Sequence, residues 1–373
     1  MQIGVLQEPS WENRVAFLPE HIADLKKRGF SVQIENSAGQ KSFASDQQYV
    51  DAGAQIVTRT QVISESDIIC CIHPSDDLLQ VSSNKTKVII GMFQPFNHLA
   101  WLQNLSSNKT AVFSLDMLPR TTRAQAMDVL SSQANIAGYK AVLLAANLLP
   151  HYFPMFMTAA GSIRPAKVLI LGAGVAGLQA IATARRLGAV VEVFDTRAAV
   201  KEEVMSLGAK FVEVEGAADA SSAGGYAVEQ SEEFLSRQRE KIHETAVKSD
   251  IIITTAQIPG RKAPILIEER TLQQMKLGSV VVDLAAISGG NTPHTPQNGK
   301  IVFGGVTIVG NSWLPSDMPF DASKLYGKNI INFLSLFKVD NNELVFDLQD
   351  ELLKGSCICR DGSIVHEKLQ QHG

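Results

Sequence analysis

The stretch KVLILGAGVAGLQAIATARRLGAVVEVFDTR, residues 167–197, decides the fold of this chain. The apolar run Val168–Leu171 predicts a strand, and three closely spaced glycines follow it. A helical pattern then runs to Gly188, and a second apolar strand, Val190–Phe194, begins almost at once. Strand, turn, helix and strand in this order predict a βαβ unit with parallel strands.

The glycines of this unit occupy the G-x-G-x-x-G positions of a dinucleotide-binding turn. Gly172 permits the tight turn, Gly174 lets the backbone approach a pyrophosphate, and Gly177 allows the helix to pack closely on the strand. Val175 and Ala176 lie between the last two glycines, at the start of a helix whose amides would face the phosphates. We therefore expect these five residues to bind a dinucleotide.

An acidic residue ends the second strand of the unit. Asp195 lies 23 positions after Gly172, where a carboxylate can accept hydrogen bonds from the adenosine ribose hydroxyls. A 2′-phosphate would meet a like charge there, so the pattern favours NAD(H) over NADP(H). Thr196 belongs to the same predicted site, and Arg197 lies where an arginine can accommodate a 2′-phosphate.

Length and composition predict two globular domains. The chain has 373 residues, more than one compact core usually holds. Its net charge of -4 and the absence of clustered Lys and Arg argue against nucleic acid as a partner. Without a run of about 18 apolar residues or a signal-peptide pattern, we expect a cytoplasmic protein that does not insert into a membrane. The four cysteines lack C-x-x-C spacing, so no metal site is predicted.

Strands and helices alternate on both sides of the βαβ unit, which predicts an α/β fold with two Rossmann-like, doubly wound parallel-sheet domains joined by long helices. The further predicted strands are Gln2–Leu6, Ser31–Ile34, Ile68–Ile72, Lys87–Gly91, Ala111–Ser114, Lys210–Val214, Ile251–Thr255, Ser279–Leu284, Ile301–Phe303 and Thr307–Val309. The long helices are predicted over Arg123–Leu149 and Ala322–Val339. We expect a discontinuous N-terminal domain of residues 1–135 and 325–373, and an NAD(H)-binding domain of residues 140–320, with a cleft at the domain boundary.

A polar run, PRTTRAQAMDVLSSQAN, residues 119–135, lies at the start of the first long helix. If that helix begins near Thr122, then Gln125, Asp128 and Ser131 lie three apart and share one face. This face would carry an amide, a carboxylate and a hydroxyl together. A solvated stripe with Thr122 as N-cap is the alternative that the spacing leaves open.

Few residues are candidate proton donors for a carbonyl reduction. His98 and His294 lie in predicted loops, and neither has a carboxylate at local spacing. Hydride transfer between two nicotinamides needs no such donor, because the acceptor ring takes hydride and no accompanying proton. That reaction requires two dinucleotides, and the chain carries one glycine fingerprint. The second site would therefore lie on another polypeptide.

Six further motifs are spread along the chain: GVLQEP (4–9), ENRVA (12–16), NIAGY (135–139), GSIRPA (161–166), GGYA (224–227) and TTAQIPG (254–260). Together with the run from Arg120 to Gln133, which is the most specific portion, they resemble the NAD(H)-binding components of proton-translocating NAD(P) transhydrogenases, in the alanine dehydrogenase/transhydrogenase family. The resemblance covers nearly the whole chain.

The resemblance implies roles that spacing leaves undecided. Arg120, Gln125, Asp128 and Ser131 would hold the nicotinamide end of NAD(H) and set the angle of its ring, which is a positioning role. Tyr226 would belong to a mobile loop that closes over the nucleotide, within a long glycine-containing segment that we also predict to be a lid.

The resemblance also implies nucleotide contacts from Gly225, Ala256 and Gln257. It implies a homodimer that docks on a membrane-associated β-subunit carrying the NADP(H) domain, together with a small membrane α-part. Hydride transfer would be direct, between NAD(H) here and NADP(H) on the partner, and coupled to proton translocation. The chain would then be peripheral, held on the cytoplasmic face of the inner membrane through its partners.

Two alternatives stay open. Alanine dehydrogenases share the fold, but the place of their substrate lysine holds Cys70-Cys71-Ile72-His73 here, and the place of their aspartate holds Ile287. Ile287-Ser288 also departs from the Glu-Gln that is usual in transhydrogenases. These departures are consistent with the second alternative, a non-catalytic NAD(H)-sensing module.

Overall fold

The computed structural model describes residues 1–81, 87–106, 110–214, 231–258, 260–340 and 343–371. The chain folds as two units, Met1–Gln133 with Pro315–Gly373, and Ala134–Leu314. The first elements are β1 (Gln2–Val5), α1 (Pro19–Lys27), β2 (Ser31–Glu35), α2 (Asp46–Ala52), β3 (Gln55–Val57), α3 (Arg59–Glu65), β4 (Ile68–Cys70), β5 (Lys87–Gly91), α4 (Leu99–Ser106), β6 (Thr110–Ser114) and α5 (Val129–Leu148). The next are β7 (Phe156–Thr158), β8 (Gly161–Ile163), β9 (Lys167–Leu171), α6 (Val175–Arg186), β10 (Val190–Phe194), α7 (Lys201–Ser206), β11 (Lys210–Phe211), α8 (Glu232–Ala246), β12 (Ile251–Thr254), α9 (Glu269–Gln274), β13 (Val280–Asp283), β14 (Gly299–Phe303) and β15 (Val306–Gly310). The last are α10 (Pro319–Leu334), β16 (Lys338–Asp340), β17 (Glu343–Val345), α11 (Glu351–Ser356), β18 (Cys357–Arg360), β19 (Ser363–Ile364) and α12 (Glu367–Gln370).

The first unit is built on a sheet with the strand order β19-β18-β6-β5-β4-β1-β2-β3. In the part of the sheet that runs β6-β5-β4-β1-β2-β3, every neighbouring pair of strands is parallel. At the other side of β6, β18 pairs with it antiparallel. Successive residues of β4 face opposite apolar layers, Ile68 and Cys70 on one side and Ile69 on the other. Apolar cover on both faces is typical of a parallel sheet. The chain changes direction across the sheet between β1 and β4.

The second unit is built on a sheet with the order β11-β10-β9-β12-β13-β15-β14. The chain runs from β9 outward to β10 and β11, and then crosses to β12 on the other side of β9. The neighbouring pairs from β11 to β15 are parallel. This topology confirms the predicted fold class of two Rossmann-like α/β sheets.

One predicted strand and the end of the second long helix differ from the structure. The strand predicted at Ile301–Phe303 is β14, which pairs antiparallel with β15 instead of extending the parallel order. Gly304 and Gly305 join the two strands with φ of 56° and 82°, and a two-residue hairpin of this kind can connect only antiparallel neighbours. The helix predicted to reach Val339 ends at Leu334, and Val339 lies in β16.

Two kinds of feature are absent from the portion of the chain that the structure describes. No helix there combines the length and the apolar character needed to cross a lipid bilayer. Within the same residues, no group of His, Cys, Asp and Glu side chains is arranged to hold a metal ion.

Gly138 sets how closely α5 and α6 approach each other in the second unit. A Cβ atom at this position would lie 2.0 Å from the carbonyl oxygen of Ala176, which is backbone and cannot rotate away. In a helix without this contact, alanine would be more stable than glycine by about 0.5–1 kcal/mol. The clash with Ala176 therefore decides whether the substitution stabilises or destabilises the chain. We expect Gly138→Ala to lower the free energy of unfolding by about 1–3 kcal/mol in urea titrations.

Asn147→Ala, on the exposed side of the same helix, is the matched control. Its expected change in stability is within about 0.5 kcal/mol. A Gly138→Ala variant as stable as the parent chain would contradict the close approach of the two helices.

Candidate functional site

The turn after β9 depends on its three glycines. Gly172 has a φ of 106°, a left-handed conformation that side chains disfavour. A Cβ atom on Gly177 would lie 1.9 Å from the Gly172 carbonyl oxygen, whereas one on Gly174 would meet no heavy atom within 4 Å. The backbone at Gly174 is therefore open to a ligand. Val175 and Ala176 begin α6, so their amides lie at the positive end of its dipole.

The residues after β12 lie at the same sheet edge as the glycine turn. The Thr255 hydroxyl donates to the carbonyl oxygen of Gly172 at 3.3 Å. The Ala256 amide donates to Asn291 Oδ1 at 3.2 Å, and Asn291 Nδ2 donates to the Ala256 carbonyl at 2.9 Å. Gln257 Nε2 donates to a main-chain carbonyl at 2.7 Å. These residues flank the switch point between β9 and β12, where parallel sheets bind ligands.

Asp195 lies at the end of β10, next to the glycine turn. Its Oδ2 accepts from the Ala173 amide at 2.7 Å and from Arg197 Nη2 at 2.8 Å. Its Oδ1 accepts from the Arg197 amide at 2.8 Å and from Arg197 Nε at 2.9 Å. The hydrogen bonds that the Arg197 guanidinium donates to Asp195 raise its pKa. The carboxylate predicted to bind ribose is thus paired with Arg197, and Thr196 lies between them.

The first long helix begins later than predicted. Residues 122–127 form a 3-10 turn, Asp128 is extended, and the α-helix begins at Val129. Asp128 caps that helix, because Oδ1 accepts from the Ser131 amide at 2.9 Å and Oδ2 from the Ser131 hydroxyl at 2.6 Å. The predicted single helical face is therefore wrong, as is Thr122 as N-cap. The cap nonetheless brings Asp128 and Ser131 together.

Contacts from α10 hold the 3-10 turn in place. The side-chain amides of Asn329 and Asn332 both donate to the Ala126 carbonyl oxygen at 2.9 Å. Gln125 precedes this braced carbonyl, and its own side chain is exposed. Arg120, just before the turn, is also exposed. The backbone under Gln125 is thus fixed while its amide remains accessible.

A buried polar cluster at the carboxyl ends of β1 and β4 was not identified from the sequence. Glu12 Oε2 lies 2.7 Å from His73 Nε2 and 2.6 Å from Arg14 Nη2. Arg14 Nη1 also donates to Gln133 Oε1 at 2.8 Å. Glu8 accepts from the amide of His73 at 3.1 Å and from the preceding amide at 2.6 Å. The cluster links the switch point of the first sheet to the start of α5.

Burial and pairing act differently on the two carboxyl groups of this cluster. Burial raises the pKa of Glu8 to about 8, although two backbone hydrogen bonds oppose the shift. Burial also acts to raise the pKa of Glu12, but the hydrogen bonds from Arg14 and His73 outweigh it and hold that pKa well below its usual range. Burial lowers the pKa of His73, against the opposite effect of Glu12. Glu8 is therefore mostly protonated at neutral pH, and Glu12 is ionised.

The raised pKa of Glu8 makes stability depend on pH. Its favourable contribution is fully present below the unfolded pKa near 4.5 and is lost as the pH rises through about 8. Relative to Glu8→Gln, the parent chain should lose up to about 1.4 kcal/mol of unfolding free energy per pH unit in this window. Urea titrations across the window test this. Glu65→Gln, an exposed control, should give a curve parallel to that of the parent, and a parallel Glu8→Gln curve would contradict the assignment.

The two histidines predicted as candidate proton donors have local partners. His98 Nδ1 lies 2.9 Å from the carbonyl oxygen of Phe93. His294 Nε2 lies 3.2 Å from Glu269 Oε2, and its ring stacks on Phe303 with centroids 4.0 Å apart. The carboxylate beside His294 was missed because it lies 25 positions away along the chain. The predicted loop residues Gly225 and Tyr226 fall within 215–230, outside the described residues.

The chain matches known protein families along nearly its whole length. The family models "Alanine dehydrogenase/PNT, N-terminal domain" and "Alanine dehydrogenase/PNT, C-terminal domain" match residues 4–137 and 141–367. The chain is 44% identical to the first of the polypeptides that form NAD(P) transhydrogenase subunit alpha in Rhodospirillum rubrum, over 97% of both chains. A crystal structure of transhydrogenase from Sinorhizobium meliloti superimposes with a TM-score of 0.85 and 38% identity, covering 99% of this chain and all of that one.

The alanine dehydrogenase branch is more distant. Alanine dehydrogenase of Mycolicibacterium smegmatis is 28% identical over 78% of this chain and 74% of its own length. Identity to the transhydrogenase subunit is higher and extends along nearly the whole sequence. The chain therefore belongs to the alanine dehydrogenase/PNT family and is related to NAD(P) transhydrogenase alpha subunits.

Proposed function

We propose that this chain is the NAD(H)-binding component of a proton-translocating NAD(P) transhydrogenase. In this role it exchanges hydride directly with NADP(H) held by a partner β-subunit. The observation that carries the proposal is the 44% identity, over 97% of both chains, to a protein named as part of an NAD(P) transhydrogenase subunit alpha. Membrane association, and the coupling to proton movement, would come from the β-subunit and a small membrane α-part.

The described residues fit an NAD(H) nucleotide at the second unit. The open backbone at Gly174 and the first amides of α6 suit a pyrophosphate, and Asp195 suits the adenosine ribose. Ala256 and Gln257 would line the same sheet edge. NADH, when bound, supplies the hydride, so the protein's contribution is to orient the ring and exclude competing reactions.

The positioning role falls to the segment around the 3-10 turn of the first unit. Asp128 and Ser131 hold each other through the helix cap, so both side chains have a fixed direction. We propose that they hold the ribose and carboxamide at the nicotinamide end, together with the exposed groups of Arg120 and Gln125. Such groups set distance and angle for hydride transfer and need no change of protonation.

We also propose that the chain acts as a homodimer through the hairpin β7–β8. Among the described residues these strands pair only with each other, and a lone two-stranded hairpin is marginally stable in water. The hairpin exposes large apolar side chains, including Met157 at 74% and Phe156 at 45%. Exposed apolar groups clustered on one element are typical of a contact surface.

Charging the hairpin should therefore separate the two copies. Met157→Asp is expected to shift the sedimentation of the protein from dimer to monomer, because an unpaired carboxylate would be buried in the contact. Met205→Asp on α7 is the matched control, since Met205 is 57% exposed and lies outside the hairpin. A Met157→Asp variant that sediments as the parent chain does would rule out this contact.

Reconstitution tests the proposed function. The purified chain alone should quench or enhance NADH fluorescence on binding and catalyse no turnover. Addition of the NADP(H)-binding subunit of a related transhydrogenase should give reduction of an NAD analogue by NADPH. If the chain alone oxidises NADH with pyruvate and ammonia, it is an amino-acid dehydrogenase instead. If it binds NADH but stays inactive beside a functional partner, it is a non-catalytic NAD(H)-sensing module.

A further inference from the structure

Every hydrogen-bonding position of the Asp195 carboxylate is taken. Two backbone amides, of Ala173 and Arg197, donate to one oxygen each at 2.7 and 2.8 Å. The guanidinium of Arg197 adds Nε on Oδ1 at 2.9 Å and Nη2 on Oδ2 at 2.8 Å. A carboxylate offers about four acceptor sites, so this set is complete. The Asp195 side chain is 6% exposed, and its charge is balanced locally by Arg197.

The two kinds of donor have different freedom to leave. The backbone amides belong to the glycine turn and to the chain after β10, so they fix the carboxylate's orientation. The Arg197 side chain is 20% exposed and is joined to the carboxylate by a bidentate fork. A vicinal ribose diol also binds a carboxylate with two parallel donors, one on each oxygen. The guanidinium therefore occupies the two positions that the diol needs.

We propose that Arg197 is a specificity-determining residue that competes with the adenosine ribose for Asp195. For NADH to bind, the guanidinium leaves the carboxylate and the ribose hydroxyls replace its two hydrogen bonds. Beside a nucleotide with a 2′-phosphate, the same guanidinium neutralises the charge that Asp195 would repel. Arg197 thus lowers the affinity for NADH and reduces the discrimination against NADPH. This inference rests on the proposed NAD(H) site.

Two variants separate the competing fork from the positive charge. Arg197→Gln removes both, so NADH should bind about fivefold more tightly and NADPH more weakly, which widens the discrimination by roughly tenfold or more. Arg197→Lys keeps the charge but loses the bidentate fork, so NADH should tighten while NADPH binding is retained. Fluorescence titration of the parent chain and both full-length variants with each nucleotide gives the six dissociation constants.

A double-mutant cycle shows whether the tighter NADH binding of Arg197→Gln depends on the Asp195 carboxylate. In an Asp195→Asn background, Arg197→Gln should no longer tighten NADH binding, because there is no ionised group left to compete for. Circular dichroism checks that each variant is folded. If the parent chain binds NADH normally and Arg197→Gln binds it equally well or more weakly, the inference about Arg197 is overturned, but the proposed function is not. A parent chain that binds no NADH would instead overturn the proposed function.

Discussion

Replacing Gly177 by alanine is expected to weaken NADH binding roughly ten- to 100-fold and to destabilise the second unit. The new Cβ atom would lie 1.9 Å from the carbonyl oxygen of Gly172, which is a backbone atom, and a Cβ atom has no rotation that avoids the clash. The turn must open to relieve the clash, at a cost of about 1–3 kcal/mol. Opening the turn moves the amides of α6 away from where the pyrophosphate would lie.

Gly174→Ala separates loss of binding from loss of structure. Its Cβ atom would meet no protein atom within 4 Å, so the free chain should keep its stability. The methyl group would nevertheless stand on the surface that we assign to the pyrophosphate, so NADH affinity should fall. Thermal unfolding and NADH titration of both variants make the comparison. Normal NADH affinity in Gly177→Ala would contradict the assignment of the turn.

Gln125→Asn is expected to slow hydride transfer roughly 100-fold while NADH affinity changes only a few-fold. The substitution keeps the amide and shortens its reach by one methylene. The backbone beneath it cannot follow, because Asn329 and Asn332 hold the carbonyl of Ala126 and Asp128 caps α5. A ring misplaced by about 1 Å loses reaction rate far more than binding energy.

Single-turnover measurements with the NADP(H)-binding subunit give the transfer rate apart from binding. Thr122→Ser is the control, since it shortens an exposed neighbour on the same turn and should change neither quantity. If Gln125→Asn lowers affinity and rate by the same factor, the side chain contributes to binding and does not position the ring.

The sequence was sufficient for the βαβ unit because its determinants are local. The apolar runs, the glycine spacing and the helix stop at Gly188 all lie within residues 167–197, and the observed β9, α6 and β10 follow them closely. The antiparallel β14 was also encoded locally, by Gly304-Gly305 between two short apolar runs. There the turn residues carried more information than the parallel order of the preceding strands.

Tertiary contacts explain what the sequence left undetermined. The 3-10 turn before α5 is braced by side chains about 200 positions away, and no periodicity within residues 119–135 contains that information. The pairing of His73 with Glu12 spans 61 positions, and that of Arg14 with Gln133 spans 119. The only local sign of this cluster was the number of charged residues directly after an apolar strand. The pairing of Asp195 with Arg197, by contrast, could be predicted from the sequence, because the two residues lie only two positions apart.

The direct exchange of hydride between two nicotinamides is tested most directly by an isotope label. The chain is mixed with the NADP(H)-binding subunit of a related transhydrogenase, NAD, and NADPH deuterated at the transferred position of nicotinamide C4, in ordinary water. We predict that the deuterium is recovered on C4 of the NADH formed, and that omitting this chain abolishes the transfer. NADH without deuterium, or no transfer at all despite normal nucleotide binding by both proteins, would contradict the account.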